Sequence, residues 1–248
     1  MRFPFRLGAD LARARLFSIP PIHRFSPLVT HVSAADRFDP NSPELEWHSP
    51  EESVRMASQV RSPILWLGGT EPLLHPEIGR LTTVLAQTRR HVFVHTSGLS
   101  LRKRIHEFQP SSRLYFAVEF AGRKAAQDAC HCQPGAFERC IESIRTAKLS
   151  GFHVCAHVSV TPATDIYDVG ELIDFLDAKD VEGFIVSSGW GTITPEIAEK
   201  VSEIRDLIRS KPWERFSLLL QRAHEQAPET RPRAELPGAA AAVSAEGA

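Results

Sequence analysis

The sequence lacks the features that would assign the chain to several common classes. It has only four cysteines, and their uneven spacing does not suggest a disulfide framework. It has no apolar run near the roughly 18 residues that span a bilayer. Its formal net charge is -1, so the basic excess typical of nucleic-acid binding is also missing. With 248 residues, 42% of them hydrophobic, we expect one sizeable globular domain in the cytoplasm.

The two ends of the chain differ in composition from the middle. Residues 1–24 carry arginines among apolar residues, without a long hydrophobic core or a cleavage site. This pattern predicts an amphipathic leading helix, with Leu7 and Leu11 on one side, and not a secretory signal. Residues 225–248 are rich in Pro, Ala, Glu and Gly, which predicts a disordered tail. The folded domain should then occupy residues 25–224.

Between the two ends, short apolar runs alternate with stretches of helical periodicity. The runs that have the length of a strand are residues 28–32, 64–67, 91–95, 114–118, 152–160 and 184–188. Six strands that alternate with helices predict a parallel α/β sheet with right-handed crossovers. The number of strands is too low for a closed eightfold barrel. A partial barrel and a doubly wound sheet both agree with the periodicity.

The stretch after the second strand contains the strongest candidate for ligand binding. Gly68 and Gly69 permit positive φ and leave space beside the backbone. Thr70, Glu71 and Pro72 then stand at the carboxyl end of the strand, where α/β sheets bind small ligands. The Glu71 carboxylate could hold an ammonium group, or it could stabilise the start of a helix. The sequence leaves both readings open.

Further polar residues stand at the ends of the other strands. They are Thr96, Ser97, Glu119, His157 and Ser187. His157 could act as a ligand, if it faces the interior, or as a structural histidine with local hydrogen bonds. Glu119 could face the same opening or be solvated.

The spacing of cysteine and histidine does not indicate a metal site. The cysteines are Cys130, Cys132, Cys140 and Cys155. None of them shows the C-x2-C spacing of common zinc sites, and Cys140 and Cys155 fit buried core positions. His91 and His95 share one face of the third strand. We therefore expect no metal site from these residues.

Five segments, in this order, resemble the radical SAM superfamily. They are GTEPLLHPEI, HTSG, AVEFAG, DACHCQPGAFERCIESIRTAKLSGFHV and GFIVSSGW. The resemblance spans about Phe25 to Trp190 and is strongest to the hopanoid-biosynthesis branch, of the adenosylhopane synthase type. It implies an α/β fold with a six-stranded parallel partial (β/α)6 barrel. It also implies an S-adenosylmethionine site formed by Gly69, Thr70, Glu71, Pro72, Thr96, Ser97, Glu119, His157 and Ser187.

The chain departs from the family pattern where the chemistry resides. The family places three cysteines, spaced C-x3-C-x2-C, after the first strand to hold a [4Fe–4S] cluster. Phe38, Ser42 and Leu45 stand at those positions here, and Phe and Leu cannot ligate iron. The ligand face also differs from the family at Thr70, Ser97, Ala121 and His157. We therefore expect no [4Fe–4S] cluster.

These departures favour a degenerate radical SAM-like protein. It would be a non-catalytic scaffold, a partner of another protein or of an active paralogue, or a binder of a small ligand such as S-adenosylmethionine. The alternative is a divergent enzyme that acts on an isoprenoid, hopanoid-like or other small substrate with altered use of cluster or cofactor. The sequence favours neither a nucleic-acid partner nor a transmembrane segment.

Overall fold

The computed structural model describes residues 5–16, 28–35, 46–188 and 194–209, and the single residues 211, 214 and 217. Its strands are β1 (Val29–Ser33), β2 (Ile64–Gly68), β3 (His91–Thr96), β4 (Leu114–Phe120), β5 (His153–Val160) and β6 (Phe184–Ser188). Its helices are α1 (Phe5–Leu16), α2 (Pro50–Ser58), α3 (Ile78–Gln87), α4 (Leu101–Arg104), α5 (Lys124–Cys130), α6 (Ala136–Leu149), α7 (Ile166–Asp177) and α8 (Pro195–Ile208). Short 3₁₀ turns occupy Pro72–Leu74 and Ile105–Glu107. The proposed tail, residues 225–248, lies outside the described residues.

The sheet has the topology of a partial barrel. Its six strands lie in chain order from β1 to β6, and every neighbouring pair is parallel. A β-α-β connection between adjacent parallel strands carries the helices to one face of the sheet. The prediction of a six-stranded parallel half-barrel is therefore confirmed. Among the described residues, no helix is long and apolar enough to cross a membrane.

Local sequence signals explain several helix boundaries. Ser49 caps α2, and it exchanges bonds with Glu52 in a capping box, as its sequence predicts. Asp165 caps α7 by accepting from two backbone amides of the first turn. Helix α5 is absent from the sequence-based interpretation because its seven residues contain no apolar repeat. It is held instead by Gln127, whose amide bonds the backbone of Glu119 and Ala121.

Strand alternation divides the buried residues into two cores. Residues that face outward pack against the helices, and they form the larger core. Residues that face inward form a second core inside the curve of the sheet, which also contains Leu7 and Leu11 of α1. In this inner core Phe93 lies between Trp66 and Tyr115, with ring centroids 5.9 and 4.4 Å away. The amino-terminal half of the barrel interior is therefore filled with aromatic rings.

Helix α1 is attached to the barrel by a buried polar contact. The His91 ring donates from Nε2 to Asp10 Oδ2 at 3.0 Å, and Arg113 donates to the same oxygen at 3.2 Å. The side chain of His91 is completely buried. Burial lowers the pKa of His91 below its ordinary value, and this effect exceeds the opposing influence of Asp10. His91 is therefore neutral in the folded protein near pH 7.

This contact predicts a loss of stability in mild acid. Below about pH 6.5 the unfolded chain protonates His91 while the folded chain does not, so the unfolded state binds more protons. The free energy of unfolding should fall as the pH is lowered, with at most about 1.4 kcal/mol per pH unit from this histidine. Urea titrations between about pH 7.5 and 5.5 should show a shallower slope for His91→Gln. The exposed residue His106 provides the control, since His106→Gln should keep the full slope; an unchanged slope in His91→Gln would contradict the assignment.

Candidate functional site

The polar residues of the barrel lie at the carboxyl ends of the strands. They form two hydrogen-bonded clusters. The first, the Glu71 cluster, consists of Glu71, Thr96 and Ser97. The second, the His157 cluster, consists of His95, Glu119, His157, Ser159 and Ser187. All the side chains that the sequence proposes for ligand binding at the ends of β3 to β6 fall in one cluster or the other.

The Glu71 cluster links the loop after β2 to the end of β3. Oε1 of Glu71 accepts from Thr96 Oγ1 at 2.7 Å and from the backbone amide of Leu73 at 3.1 Å. Oε2 accepts from the amide and the hydroxyl of Ser97, at 2.8 and 2.7 Å. A carboxylate offers about four acceptor positions, and the chain itself fills all four. In this arrangement Glu71 is a clamp, and an ammonium ligand would have to displace one of these donors.

The glycine and proline beside Glu71 shape this clamp. Gly69 has a φ of +87°, and a Cβ there would approach Ser33 Oγ at 3.0 Å. The position therefore needs glycine for its conformation. Buried Pro72 starts the 3₁₀ turn, and Glu71 caps that turn through Leu73. Thr70 is half-buried, and no hydrogen bond of its side chain contributes to the clamp.

The His157 cluster lies at the mouth of the barrel on β3 to β6. Nδ1 of His157 is 2.9 Å from Nε2 of His95, and Nε2 of His157 is 2.8 Å from the Ser187 hydroxyl. Glu119 Oε2 lies 3.7 Å from His95 Nε2, while Oε1 accepts from Ser159 at 2.9 Å. The His157 side chain is buried, and the Glu119 side chain is 35% exposed. The cluster thus runs from the barrel interior to solvent.

An indole ring forms the floor below these histidines. The ring of Trp66 stacks on His95 with centroids 5.4 Å apart and meets His157 edge-on at 5.6 Å. Trp66 belongs to the inner aromatic core, so the apolar floor is continuous with the filled half of the barrel. Packing of this kind restricts the rotation of both imidazole rings.

Sequence reasoning missed three of these residues. The sequence pattern places His95 on the same face as His91 without assigning it to a site, and it assigns neither Ser159 nor Trp66 to one. The available signal was the period of two along each strand, because Ser159 follows His157 by two residues and Trp66 precedes Gly68 by two. In the folded sheet, Glu119 lies opposite His157 on the neighbouring strand, and Ser159 lies opposite Ser187. These pairs complete the cluster.

Comparison with known proteins decides the family. A family model described as the radical SAM superfamily matches residues 30–176, more than half of the chain. The chain belongs to the radical SAM superfamily. No curated protein matches it.

Solved structures of SuiB from Streptococcus suis have the same fold as this chain. One has a TM-score of 0.55 at 14% identity, covering 83% of this chain and 51% of SuiB. SuiB bound to S-adenosylmethionine gives 0.50 at 15% identity, with 79% and 48% covered. SuiB bound to the precursor peptide SuiA gives 0.51 at 13% identity, with 73% and 43% covered. This chain spans about half the length of SuiB, and at such identity the likeness shows the fold alone.

The superfamily's iron–sulfur cluster does not fit the cysteines of this member. Cys155 lies inside the barrel on β5, while Cys140 lies on α6, behind the sheet, and donates to the backbone of Ser97. Cys130 and Cys132 are exposed around the end of α5. Burial raises the pKa of Cys140 to about 11 and raises that of Cys155 well above its ordinary value, which opposes the thiolate form that iron needs. Phe38, Ser42 and Leu45 lie outside the described residues.

The clamp function of Glu71 predicts a measurable effect on stability. Glu71→Ala removes the carboxylate that accepts from four donors, which belong to buried Thr96 of β3, buried Leu73 of the 3₁₀ turn and half-buried Ser97. We expect the free energy of unfolding to fall by roughly 2–3 kcal/mol in urea titrations. Glu77→Ala, which removes an exposed carboxylate paired with Arg80, should change it by less than about 0.5 kcal/mol. Equal, small effects of the two substitutions would show that Glu71 is available to a ligand.

Proposed function

We propose that this chain is a radical SAM superfamily member that carries no iron–sulfur cluster and works as a binding domain, without radical chemistry. The observation that carries the proposal is the position of the four cysteines, since two lie on opposite sides of the sheet and the other two are exposed around the end of α5. Three thiolates must converge to hold a [4Fe–4S] cluster, and without it no electron reaches the cofactor. The ligand would bind at the barrel mouth, beside Glu119, His157 and Ser187.

S-adenosylmethionine is a second candidate for that ligand. It is supported by the Gly69–Pro72 loop, which matches the family's amine-binding loop, and by the fold shared with SuiB bound to S-adenosylmethionine. The saturated carboxylate of Glu71 argues against it, because the cofactor's ammonium group would need an acceptor that the chain already uses. We therefore favour a different small polar ligand.

A protein partner remains part of the proposal. SuiB in complex with the precursor peptide SuiA is an example of this fold with a peptide bound. By analogy, the chain would act as the partner of another protein, such as an active paralogue, and would present its barrel mouth to it. This analogy rests on the fold and on no contact within this chain.

The hopanoid-biosynthesis branch is our proposal for the chain's position within the superfamily. Its support is the sequence run from Asp128 to Phe137, which in the folded chain forms the turn from α5 to α6. The Asp128 carboxylate accepts from the amides of Gly135 and Phe137, each at 3.0 Å. Because the motif has this folding role, it supports common ancestry with the hopanoid-biosynthesis branch more than it supports an isoprenoid or hopanoid substrate. A divergent enzyme acting on such a substrate is the alternative reading.

Anaerobic reconstitution with iron and sulfide tests the absence of the cluster. We expect the desalted protein to contain no acid-labile sulfide and to form no 5′-deoxyadenosine with dithionite and S-adenosylmethionine, because its thiols do not converge. The matched variant Phe38→Cys/Ser42→Cys/Leu45→Cys restores the C-x3-C-x2-C spacing and should acquire sulfide and iron. Close to four irons and four sulfides per unaltered chain would overturn the proposal.

Calorimetric titration with S-adenosylmethionine separates the two ligand readings. If the Glu71 carboxylate is fully occupied by donors of its own chain, it does not take part in binding S-adenosylmethionine. Any saturable binding by the unaltered protein should then have the same affinity in Glu71→Gln. Glu71→Gln, which keeps the shape but removes the charge, is the comparison, and S-adenosylhomocysteine is the ligand control. Saturable binding that is at least tenfold weaker in Glu71→Gln, while the variant remains folded by circular dichroism, would favour the second candidate.

A further inference from the structure

Three side chains on neighbouring strands bring metal-ligating atoms together at the barrel mouth. One nitrogen each of His95 and His157 and one carboxylate oxygen of Glu119 all lie within 4.8 Å of one another. They come from the inward faces of β3, β5 and β4, which are adjacent in the sheet. Two imidazoles and one carboxylate form a ligand set that binds zinc at catalytic sites and ferrous iron in non-haem sites.

The atomic separations suit a single ion. Ligand bonds of about 2.0–2.1 Å at a tetrahedral metal place neighbouring ligand atoms about 3.4 Å apart. Here His95 Nε2 lies 2.9 Å from His157 Nδ1 and 3.7 Å from Glu119 Oε2. These two distances lie on either side of the required value, and the third separation, between His157 and Glu119, is within 4.8 Å.

Outer hydrogen bonds prepare two of the ligands. The Ser187 hydroxyl lies 2.8 Å from His157 Nε2, and when Nε2 donates to it, Nδ1 carries the lone pair that a metal needs. Ser159 donates to Glu119 Oε1 at 2.9 Å, which leaves Oε2 for coordination. Trp66 contacts both imidazole rings and supplies an apolar floor. Such outer contacts fix tautomer and orientation in metal sites of this kind.

We propose that His95, Glu119 and His157 bind one divalent first-row transition-metal ion, of the zinc or ferrous class. Three protein ligands leave a coordination position for water or for an oxygen of a bound molecule. Glu119 is 35% exposed and His95 12% exposed at the side chain, so the open position faces the mouth. The ligand class that follows is a small molecule with a carboxylate, carbonyl or phosphate oxygen. In the absence of metal, the same histidines form a hydrogen-bonded pair.

This inference does not depend on the absence of an iron–sulfur cluster. The proposed ligands are nitrogen and oxygen atoms, and none of the four thiols takes part. A mononuclear site contains no sulfide, so sulfide analysis separates it from a cluster. If no metal binds, the proposal that the chain carries no iron–sulfur cluster still stands. If a cluster is found, metal binding by His95, Glu119 and His157 is still decided by its own titration.

The test is titration of the full chain, freed of metal by dialysis against a chelator, with Zn²⁺ by calorimetry and with Co²⁺ by visible absorption. We expect one ion per chain, with tetrahedral-type Co²⁺ bands that Zn²⁺ abolishes. Glu119→Gln and His157→Ala should weaken binding at least 100-fold, because each removes a ligand atom. Ser187→Ala and Ser159→Ala should weaken it about 10- to 100-fold, the usual effect of losing an outer partner.

The controls separate this site from surface binding and from misfolding. His106→Ala removes an exposed histidine and should leave affinity and stoichiometry unchanged. Glu119→Gln preserves side-chain shape, and circular dichroism verifies that it is folded. The unaltered protein alone also provides a decisive result through its Co²⁺ spectrum. Lack of saturable binding at one ion per chain, or equal affinity in folded Glu119→Gln, would overturn the proposal.

Discussion

The alternation of side chains along parallel strands is the constraint on which the rest of this structure depends. Because neighbouring strands are in register, inward-facing residues from different strands stand at the same level of the barrel. At the lower levels these are the aromatic rings of Trp66, Phe93 and Tyr115, which fill the interior. Further toward the carboxyl ends of β3, β4 and β5 stand His95, Glu119 and His157; in the register His95 is level with Ala117, one inward position before the Glu119–His157 pair. The same alternation therefore produces both a stable floor and a polar mouth.

Most of the fold was accessible from the sequence because burial on both faces makes parallel strands read as apolar runs. The run Ile64–Gly68 is completely buried, and its position was evident from residues 64–67 alone. Helix α5 was not accessible, since its stability comes from the tertiary bonds of Gln127 and not from an apolar stripe. Periodicity also could not distinguish a partial barrel from a doubly wound sheet. That choice came from the family resemblance.

The candidate site was accessible only in part, because sequence places residues at strand ends without showing their partners. Glu71 could be located after β2, yet its role depends on four donors supplied by Thr96 at the end of β3, by Ser97 after it and by Leu73 of the 3₁₀ turn. Ser97 is decisive here, since it supplies two of those donors from one residue. His157 was expected to face inward, but its proximity to His95 depends on the positions of β3 and β5 on either side of β4.

The two clusters meet at the end of β3, where Thr96 belongs to one and His95 to the other. A [4Fe–4S] cluster requires soft thiolates from a loop outside the sheet, and this chain offers none there. The clamp at Glu71 holds the end of β3 through donors of the chain itself. With that end of β3 held, His95 keeps its place above Trp66 and opposite His157. The Glu71 clamp and the order of the polar mouth are thus linked through the short segment His95–Ser97, whose side chains serve both clusters.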